Sequence, residues 1–269
     1  MIAVLSPAKT LDMSPVKSLG LKSSPAMVKR AEELLPLLKK LTVPELKKMM
    51  GLSDDLAKLN AERYAKFSSQ PSKAACLAFD GPAFRGLSAG DFSQADQKIA
   101  QGSIRILCGL YGVLRPLDSI RPYRLEMGTK MKTPRGTSLY DFWGDEITEQ
   151  LSKELADKKT PILVNCASQE YWKSVRPKKL PKGVLVVTCD FPGPAVFAKK
   201  ARGMMCRHIV KQRVTDVGGL KKFVGDDVDR YSFCASKSTA TKLTFLRVGG
   251  AMKRPAAALG EDQAKKRRL

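Results

Sequence analysis

The amino-acid sequence predicts an α/β protein. Three short apolar runs have the composition of buried strands, namely residues 1–5 (MIAVL), 161–165 (PILVN) and 183–188 (GVLVVT). Segments with helix-capping residues separate these runs, and such alternation is typical of a sheet with helices on its faces. A chain of 269 residues with 43% hydrophobic residues is long enough for one large domain or two small ones, with a sizeable core in either case.

The first predicted strand ends in a loop that we consider a candidate site. Residues 6–10 (SPAKT) follow the strand directly, and loops at strand ends are places where sheet proteins carry chemistry. Lys9 is the candidate reactive side chain of this loop. The alternative interpretation is a proline-containing loop with a solvated lysine, and the two stay open at this point.

Two short helices are predicted within about residues 42–67. Thr42 and Glu45 have capping-box spacing and start a helix through Met50, and a second amphipathic helix follows near Ser53. The Gly51 turn between them matches a helix-hairpin-helix outline, in which backbone N–H groups hold a DNA phosphate. The candidate DNA-binding residues are Lys47, Lys48, Gly51, Ser53, Lys58 and Arg63. The alternative is an ordinary helical hairpin with glycine as its C-cap.

The other elements follow from capping signals and apolar runs. They are a helix over 24–40 begun by Ser24-Pro25, a short strand at 77–79, a helix capped at Ser93, a helix over about 140–157, a basic helix that reaches Arg213, and a closing strand pair at 231–234 and 242–247. On the basic helix, Lys199 and Arg202 share one face and Lys200 and Arg207 share another. These faces suit an anion, and a solvated cationic surface is the alternative.

The central segment, residues 109–128 (GLYGVLRPLDSIRPYRLEMG), is the most unusual part of the chain. It combines three arginines and two tyrosines with only two acids, Asp118 and Glu126, and its glycines and prolines favour a rigid loop. Such a loop can present guanidinium groups to an anion, with the acids as orienters. A structural network of arginines and carboxylates at a turn is the equally open alternative.

The charge balance indicates an acidic partner. The chain has 48 lysines and arginines against 26 acids, a net charge of +22. The last eighteen residues carry six basic and two acidic side chains, a net of +4, so the rest of the chain carries +18. Nucleic acid is the first candidate partner, followed by an anionic membrane or a phosphorylated ligand. No run of 18 apolar residues occurs, so we expect no membrane span and no secretion.

The metal-ligating residues are sparse. Six cysteines lie far apart without a CxxC pair, and the sequence holds one histidine, His208. We therefore expect no metal site, no cofactor and free buried thiols in a reducing compartment.

The composition changes from about residue 249, and we expect residues 249–269 to form a disordered basic tail. Lys253-Arg254, ten intervening residues and the KKRR cluster at 265–268 resemble a bipartite nuclear localisation signal of the nucleoplasmin type. Two basic clusters on a flexible spacer suit two acidic pockets of a nuclear import receptor. The tail therefore predicts location in the nucleus, or in nucleus and cytoplasm, of a nucleated host. A generic basic tail is the alternative.

The motifs SPAKT, the central segment, LYDFWGDEIT at 139–148, NCAS at 165–168 with Glu170-Tyr171, and KKARG at 199–203 together resemble the YaaA family. This family comprises peroxide stress response proteins that were once described only as a domain of unknown function. The resemblance covers roughly residues 1–247, and we place the domain in 1–248. It implies a single-domain mixed α/β sheet with surrounding helices, known as the cantaloupe fold, with a helix-hairpin-helix and a cationic cleft.

The resemblance also carries over candidate residues of that cleft. They are Ser6, Lys9 and Thr10 in the first motif, Arg115, Asp118, Tyr123, Arg124 and Glu126 in the central one, Trp143 in the third, Asn165, Ser168 and Glu170 in the fourth, and Lys199, Lys200 and Arg202 in the last. The chain departs from the family pattern in a shorter segment at 188–197 and in its added basic tail.

The resemblance implies binding of double-stranded or distorted DNA and a role in limiting iron-driven oxidative damage to DNA. A second hypothesis is an enzyme that acts on a nucleotide or nucleic acid, with Lys9, Glu126 and Glu170 as tentative catalytic residues. A lysine among other cations can attack a sugar carbon through a Schiff base, as lyases do. A third hypothesis is an iron-handling protein. One histidine and scattered cysteines are poor ligands for a tight iron site, so any effect on iron would be indirect.

Overall fold

A central sheet of seven strands organises the molecule. The computed structural model describes residues 1–16 and 22–249. The strands are β1 (Ile2–Leu5), β2 (Thr10–Leu11), β3 (Lys73–Ala74), β4 (Phe79–Asp80), β5 (Ile104–Cys108), β6 (Gly112–Leu114), β7 (Ser119–Ile120), β8 (Ile162–Cys166), β9 (Leu185–Asp190), β10 (Tyr231–Phe233) and β11 (Lys242–Arg247). The sheet order is β10-β11-β9-β8-β1-β5-β6, and two small two-stranded sheets pair β2 with β4 and β3 with β7.

Helices surround this sheet. They are α1 (Val28–Lys39), α2 (Val43–Met50), α3 (Asp54–Ala65), α4 (Ala75–Ala78), α5 (Pro82–Leu87), α6 (Gln94–Ser103), α7 (Leu139–Trp143), α8 (Glu146–Ala156), α9 (Gln169–Trp172), α10 (Ala195–Lys211) and α11 (Val217–Lys221). The fold is therefore mixed α/β with a mostly parallel sheet, as the sequence predicts.

The sheet is parallel at its centre and antiparallel at both edges. β1 pairs in parallel with β5 and β8, β8 with β9, and β9 with β11, whereas β6 and β10 run antiparallel to their neighbours. Every residue of β1, β5 and β8 is buried. Strands covered on both faces are mostly apolar, which explains the apolar runs within 1–5 and 161–165, although β5 and β8 each bury one polar side chain, Arg105 and Asn165.

The order of the strands brings two distant loops together. From β1 the chain passes to β5 on one side of β1, and it later returns to β8 on the other side. In open α/β sheets a crevice forms outside the carboxyl ends of the strands at such a reversal. The loop after β1 and the loop after β8 therefore meet where the carboxyl ends of these two strands lie side by side.

Several predicted elements are confirmed, including the capping boxes of two helices. The side chains of Thr42 and Ser93 accept hydrogen bonds from the backbone N–H three residues later, and the acids at those positions bond back. The closing strand pair forms as β10 and β11.

Three predicted boundaries are wrong. The helix expected from Ser24 begins at Val28, without a side-chain cap, because the Ser24 carbonyl instead accepts a hydrogen bond from Arg115. Residues 75–78 are helical, and the strand there begins only at Phe79. The helix expected over 140–157 is divided into α7 and α8 because Gly144, at φ 50°, ends the first.

Two further predictions concern membranes and the tail. In the portion of the chain that the structure describes, no helix has the length and apolar character needed to cross a membrane. The predicted basic tail with its import signal lies, from residue 250 onward, outside the described residues.

Candidate functional site

A cavity of about 380 Å³ opens at the carboxyl edge of β1 and β8. The loop after β1, the loop after β8, the start of α5 and one face of α10 form its walls. The lining residues are Leu5, Ser6, Pro7, Ala8, Lys9, Thr10, Asp80, Gly81, Pro82, Ala83, Arg85, Glu126, Cys166, Ser168, Glu170, Tyr171, Lys199 and Arg202. The cavity thus collects candidate residues from four of the five motifs.

Two serines join the loops that form the cavity. The Ser6 hydroxyl oxygen accepts a hydrogen bond from the Ser168 backbone N–H at 2.8 Å, and the two hydroxyl oxygens lie 3.2 Å apart. Ser6 and Ser168 are 162 residues apart in the sequence. Their pairing fixes the relative position of the loops after β1 and β8.

Lys9 and Arg124 share the carboxylate of Glu126. Lys9 Nζ lies 3.2 Å from Glu126 Oε1, and Arg124 Nη2 lies 3.1 Å from the same oxygen. The side chain of Lys9 is 67% exposed, whereas that of Glu126 is only 18% exposed. The exposed ammonium can exchange this partner for a ligand at small cost, because a surface ion pair contributes little.

Glu170 connects the loop after β8 to the central segment. Its Oε1 accepts a hydrogen bond from the Gly128 N–H at 2.9 Å, and its backbone carbonyl accepts one from the Tyr140 hydroxyl. A Cβ atom at Gly128 would lie 3.2 Å from Glu170 Oε1, so glycine permits this close approach. Burial raises the pKa of the neighbouring Tyr171 phenol, with the charge of Glu170 adding to the effect, and this side chain is therefore neutral.

The face of α10 that carries Lys199 and Arg202 contributes two further cations. Their three-residue spacing places both on the cavity, as the sequence predicts. Within residues 1–16 and 22–249, neither charged group has an ion pair or a hydrogen bond to the protein, and the Arg202 Nε is a buried donor without a partner. A buried donor without an acceptor lowers the stability of the protein. A ligand that offered an acceptor to this atom would remove that cost.

The opposite face of α10 is structural. Lys200 Nζ lies 2.7 Å from Asp229 Oδ2 and 2.8 Å from Asp226 Oδ2, and it does not line the cavity. These two acids raise the pKa of Lys200 against the opposing effect of burial. The prediction that Lys200 lies in the cleft is therefore wrong, because the helix turns this residue toward the segment before β10.

The central segment divides into two parts, which its spacing does not reveal. Asp118 is fully buried and accepts hydrogen bonds from the Arg115 backbone N–H at 2.8 Å, from Arg115 Nε at 3.1 Å and from the Ser23 hydroxyl at 2.6 Å. Neither Arg115 nor Asp118 lines the cavity. Their placement in the cleft is corrected to a structural network, and Glu126 alone of this segment lines the cavity, with Arg124 behind it.

Three further predicted cleft residues are also structural. The Tyr123 hydroxyl lies 2.8 Å from the Cys108 thiol, and Trp143 Nε1 donates to the Gly109 carbonyl at 2.9 Å. Asn165 is buried and accepts a hydrogen bond from the Ala167 N–H at 2.9 Å. None of the three lines the cavity, because each satisfies a polar group inside the protein.

Sequence reasoning missed the wall formed by residues 80–85. Arg85 Nε lies 3.2 Å from Asp80 Oδ1, and both side chains line the cavity. Gly81 lies close to Ala8, since a Cβ atom there would be 3.0 Å from the Ala8 Cβ. The Asp-Gly-Pro turn after an apolar stretch was the available signal, and the pairing of β2 with β4 brings it to the loop after β1.

The helix pair α2–α3 forms around Gly51 as predicted. Gly51 is left-handed, with φ 61°, and the N–H groups of Gly51 and Leu52 both donate to the Lys47 carbonyl. Lys47 Nζ lies 2.9 Å from Asp54 Oδ1, and the Ser53 hydroxyl caps α3 by accepting from the Leu56 N–H. The N–H groups of the turn and the Lys47 ammonium are therefore bonded to groups of the protein itself.

The lysines beside this turn remain available to a partner. Lys48 and Lys58 are exposed, while Arg63 is half-buried and lies 3.5 Å from Asn60 Oδ1. Burial lowers the pKa of the Arg63 guanidinium, and the nearby charge of Arg124 acts in the same direction. Next to it, the buried Tyr64 hydroxyl donates to the Arg124 carbonyl, so α3 directly supports the residue behind Glu126.

The described residues contain no group of three or more His, Cys, Asp or Glu side chains arranged to hold a metal ion. The polar groups that line the cavity include hydroxyls, carboxylates and cations.

Comparison with known proteins identifies the family. The family described as "Peroxide stress protein YaaA" matches residues 1–237. The chain belongs to the YaaA family. Among its YaaA-type relatives, a UPF0246 protein of Ralstonia pickettii is 43% identical over 257 residues, which cover 92% of this chain and 99% of the relative.

Two other bacterial relatives of this YaaA-family chain are similarly close. A UPF0246 protein of Ruegeria pomeroyi is 45% identical over 257 residues, which cover 92% of this chain and 98% of the relative. A UPF0246 protein of Bordetella petrii is 44% identical over 259 residues, which cover 92% of this chain and 99% of the relative. Membership of this family supports a role in the response to oxidative stress.

Proposed function

We propose that this protein binds duplex or distorted DNA in the peroxide stress response, and that its cavity receives a phosphate-bearing part of the DNA. The observation that carries the proposal is the pair of cations on α10. Lys199 and Arg202 face the cavity, and no ion pair or hydrogen bond to the rest of the described chain occupies their charged groups. Phosphate oxygens satisfy such donors, and a guanidinium suits them particularly well.

The other cations of the cavity differ in this respect. Lys9 is paired with Glu126, and Arg85 is paired with Asp80. Lys199 and Arg202 therefore provide the positive charge that a ligand can use without displacing a carboxylate. The net charge of +18 in the chain before its tail supports a polyanionic ligand rather than a small neutral one.

We propose that α2 and α3 act as a helix-hairpin-helix that contacts the DNA backbone within a cantaloupe-type fold. Lys48 and Lys58 are exposed near the Gly51 turn. Lys47 is 47% exposed and its partner Asp54 is 67% exposed, so this weak pair can open toward a phosphate. Because Tyr64 of α3 holds the Arg124 carbonyl, the same duplex can approach both the helix pair and the cavity.

The cavity part of this proposal is tested with Lys199→Ala and Arg202→Gln. Anisotropy titrations of a labelled duplex should show affinity falling with salt, and each variant should reduce the slope of log K against log salt by about 1. Lys182→Ala is the matched control. Lys182 is exposed and precedes β9, so it lies at the amino ends of the parallel strands, whereas the cavity lies at their carboxyl ends. Absence of duplex binding by the parent protein at low salt would refute the proposal.

The helix pair is tested separately by the double charge reversal Lys48→Glu, Lys58→Glu. Backbone contacts give affinity without sequence choice, so the variant should lose affinity on all duplexes alike. The control is the double reversal Lys178→Glu, Lys182→Glu, which changes the net charge equally in exposed positions before β9. Equal losses in both double variants would mean that only total charge matters and that α2–α3 has no special role.

A second candidate function is a lyase that acts on nucleic acid. Lys9, Glu126 and Glu170 line one cavity although they come from three motifs, and this convergence favours the hypothesis. The Lys9 amine would attack the aldehyde carbon of an abasic site, water would leave, and a Schiff base would form. Borohydride reduction should then trap the parent protein on abasic DNA but not Lys9→Ala, whereas Lys182→Ala should behave as the parent. Equal trapping of parent and Lys9→Ala would exclude this role.

The basic tail is proposed to address the protein to the nucleus through an import receptor. The proposal rests on its two basic clusters and their ten-residue spacer. Residues 249–269 fused to a fluorescent protein should accumulate in nuclei, and replacing Lys265 and Lys266 by alanine should abolish the accumulation. An even distribution of the unaltered fusion would contradict the proposal.

A further inference from the structure

We propose that the cavity binds one nucleoside phosphate at a time, with its phosphate on Lys199 and Arg202 of α10 and its nucleoside between the apolar walls. In DNA this unit is a nucleotide that has left its partner base and turned out of the helix. The inference deepens the proposed function and rests on it where DNA supplies the nucleotide.

The size of the cavity limits what can enter it. Its volume of about 380 Å³ lies near the lower end of the range of about 300–1,000 Å³ that small-molecule sites occupy. A sphere of that volume is about 9 Å across, whereas the major groove of a duplex alone is about 12 Å wide. A base pair within a duplex therefore stays outside, and a single nucleotide fits.

The cavity extends from the surface to the ends of two central strands. Leu5 ends β1 and Cys166 ends β8, and these partners in the parallel register are both fully buried. Lys9, Glu170 and Lys199 are exposed and line the same cavity. A contact to the outside of a phosphate backbone does not require such depth, whereas a nucleotide that leaves the helix does.

Apolar walls provide a place for the nucleoside. Pro7 and Ala8 come from the loop after β1, and Pro82 and Ala83 come from the start of α5. The two segments lie close together, since an added Cβ at Gly81 would be 3.0 Å from the Ala8 Cβ. Proteins that turn a base out of the helix hold it between apolar or aromatic side chains. A phosphate alone would make no use of these walls.

The two cations of α10 can hold one phosphate together. Residues three apart on a helix have Cβ atoms about 5–6 Å apart, so Lys199 and Arg202 can reach different oxygens of the same group. Neither has an ion pair within the described part of the chain, and the buried Arg202 Nε has no acceptor. A guanidinium binds phosphate oxygens in a fixed geometry, so Arg202 is the main phosphate ligand of the proposal.

Glu170 indicates that the other end of the ligand carries hydrogen-bond donors. Its Oε1 accepts from the Gly128 N–H, and within the described residues its Oε2 has no hydrogen bond and the side chain has no ion pair. This carboxylate repels a phosphate, but it can accept from the amino group of a base or from a sugar hydroxyl. A nucleoside phosphate carries an anionic end and a donor end, which matches both groups of side chains.

The test measures three ligands with the full chain. A matched duplex and the same duplex with one mismatched cytidine are compared by anisotropy, and free deoxycytidine monophosphate and inorganic phosphate are titrated by calorimetry. A mismatched nucleotide leaves the helix more easily, so the parent should bind the mismatched duplex about tenfold more tightly than the matched one. The free nucleotide should bind at least about tenfold more tightly than inorganic phosphate, because the walls contact the nucleoside.

Variants of α10 connect this preference to the cavity. Arg202→Gln should reduce the ratio of the two duplex affinities to about twofold or less, because the duplex then binds through the surface alone. Lys199→Ala should act in the same direction, and its exposed position makes poor folding of both variants an unlikely obstacle to the comparison. Lys182→Ala should keep the ratio of the parent.

Glu170→Gln separates a nucleoside contact from simple charge. If the cavity bound only phosphate, removal of this negative charge would strengthen the binding of both duplexes. If Glu170 accepts a donor from the nucleoside, the variant should bind the mismatched duplex about fivefold more weakly and the matched duplex as the parent does. The control is Glu149→Gln, an equal change of charge at an exposed position of α8.

The outcomes separate this inference from DNA binding itself. Equal affinities for the two duplexes, with equal affinities for nucleotide and inorganic phosphate, would overturn the inference and leave DNA binding intact. A preference for the mismatched duplex that persists in both α10 variants would also overturn it. Binding of free nucleotide that depends on Arg202, without a preference between duplexes, would support the inference and assign the site to free nucleotides. If no duplex bound at low salt, the proposed function would fail and the calorimetric titrations alone would decide.

Discussion

The backbones of Gly203 and Ala83 touch across two helices. A Cβ atom at Gly203 would lie 1.7 Å from the Ala83 carbonyl oxygen, and one at Gly86 would lie 2.2 Å from the Lys200 carbonyl oxygen. α10 and α5 therefore pack with no side chain between them at these two positions. This contact sets the distance between the cations of α10 and the wall at residues 80–85.

Gly203→Ala should force these helices apart. Because the obstructing atom belongs to the backbone, we expect a loss of about 3 kcal/mol in the free energy of unfolding, measured by urea titration. Gly102→Ala is the matched control, since Gly102 lies in α6 with nothing within 4 Å of an added Cβ. That change should be neutral or stabilise by about 0.5 kcal/mol. Similar effects of both changes would contradict the backbone contact.

Glu154→Gln should destabilise the protein through Arg105. The two side chains form an ion pair, with 6% of Arg105 and 16% of Glu154 exposed. Removing one partner leaves a buried charge, so we expect a loss of about 3 kcal/mol in thermal or urea unfolding. Glu149→Gln on the same helix is exposed and should change stability by less than about 0.5 kcal/mol. A loss no greater than that of the control would show that Arg105 is satisfied without Glu154.

Asp118→Asn should weaken the network inside the central segment. The buried carboxylate accepts three hydrogen bonds, two from Arg115 and one from Ser23, and an amide cannot accept all of them. We expect a loss of about 2 kcal/mol in urea unfolding. Asp157→Asn, an exposed acid at the end of α8, is the control. A loss of DNA affinity in Asp118→Asn without a loss of stability would contradict this structural role. It would favour the alternative that the central segment binds an anion near Asp118.

Asp96 should make stability depend on pH. The hydrogen bond from Lys211, followed by those from Ser93 and Arg213, holds the pKa of the Asp96 carboxyl well below its ordinary value of 3.8. A folded-state pKa below the unfolded one stabilises the fold above the unfolded pKa, and this contribution declines as pH falls toward the folded value. The advantage of the parent over Asp96→Asn in urea unfolding should therefore be largest near about pH 7 and shrink below about pH 4.

Lys211→Met gives a second check, because it removes the first of these partners. The pH dependence should become weaker in this variant while the carboxylate remains. A stability difference between the parent and Asp96→Asn that stays constant from neutral to acid pH would contradict the assignment.

Local chemistry in the sequence predicted many elements correctly. Thr42 with Glu45 and Ser93 with Asp96 are capping boxes because the residues that satisfy the first helical N–H groups lie within one turn. Apolar runs such as 1–5 predicted buried strands for an equally local reason. The boundaries that failed, at Ser24 and Gly144, depended on a distant partner and on a backbone conformation that competes with a helix.

The candidate site was predicted in part. Lys9, Glu126 and Glu170 meet at one cavity, whereas Asp118 and Trp143 are buried in the interior and Arg115 is bound to Asp118 away from the cavity. The spacing of a loop does not reveal which of its side chains turn inward, since partners such as Ser23 and Gly109 decide this. The wall at residues 80–85 was missed for the same reason.

The sequence by itself determined the fold class, the cationic character and the order of the family motifs, because composition, capping and periodicity are local properties of the chain. Only the tertiary structure decided which residues of those motifs share a cavity. The physical reason is the strand order β9-β8-β1-β5, which places segments more than a hundred residues apart side by side. Helix α10 completes the cavity because Gly203 lets it approach α5 so closely.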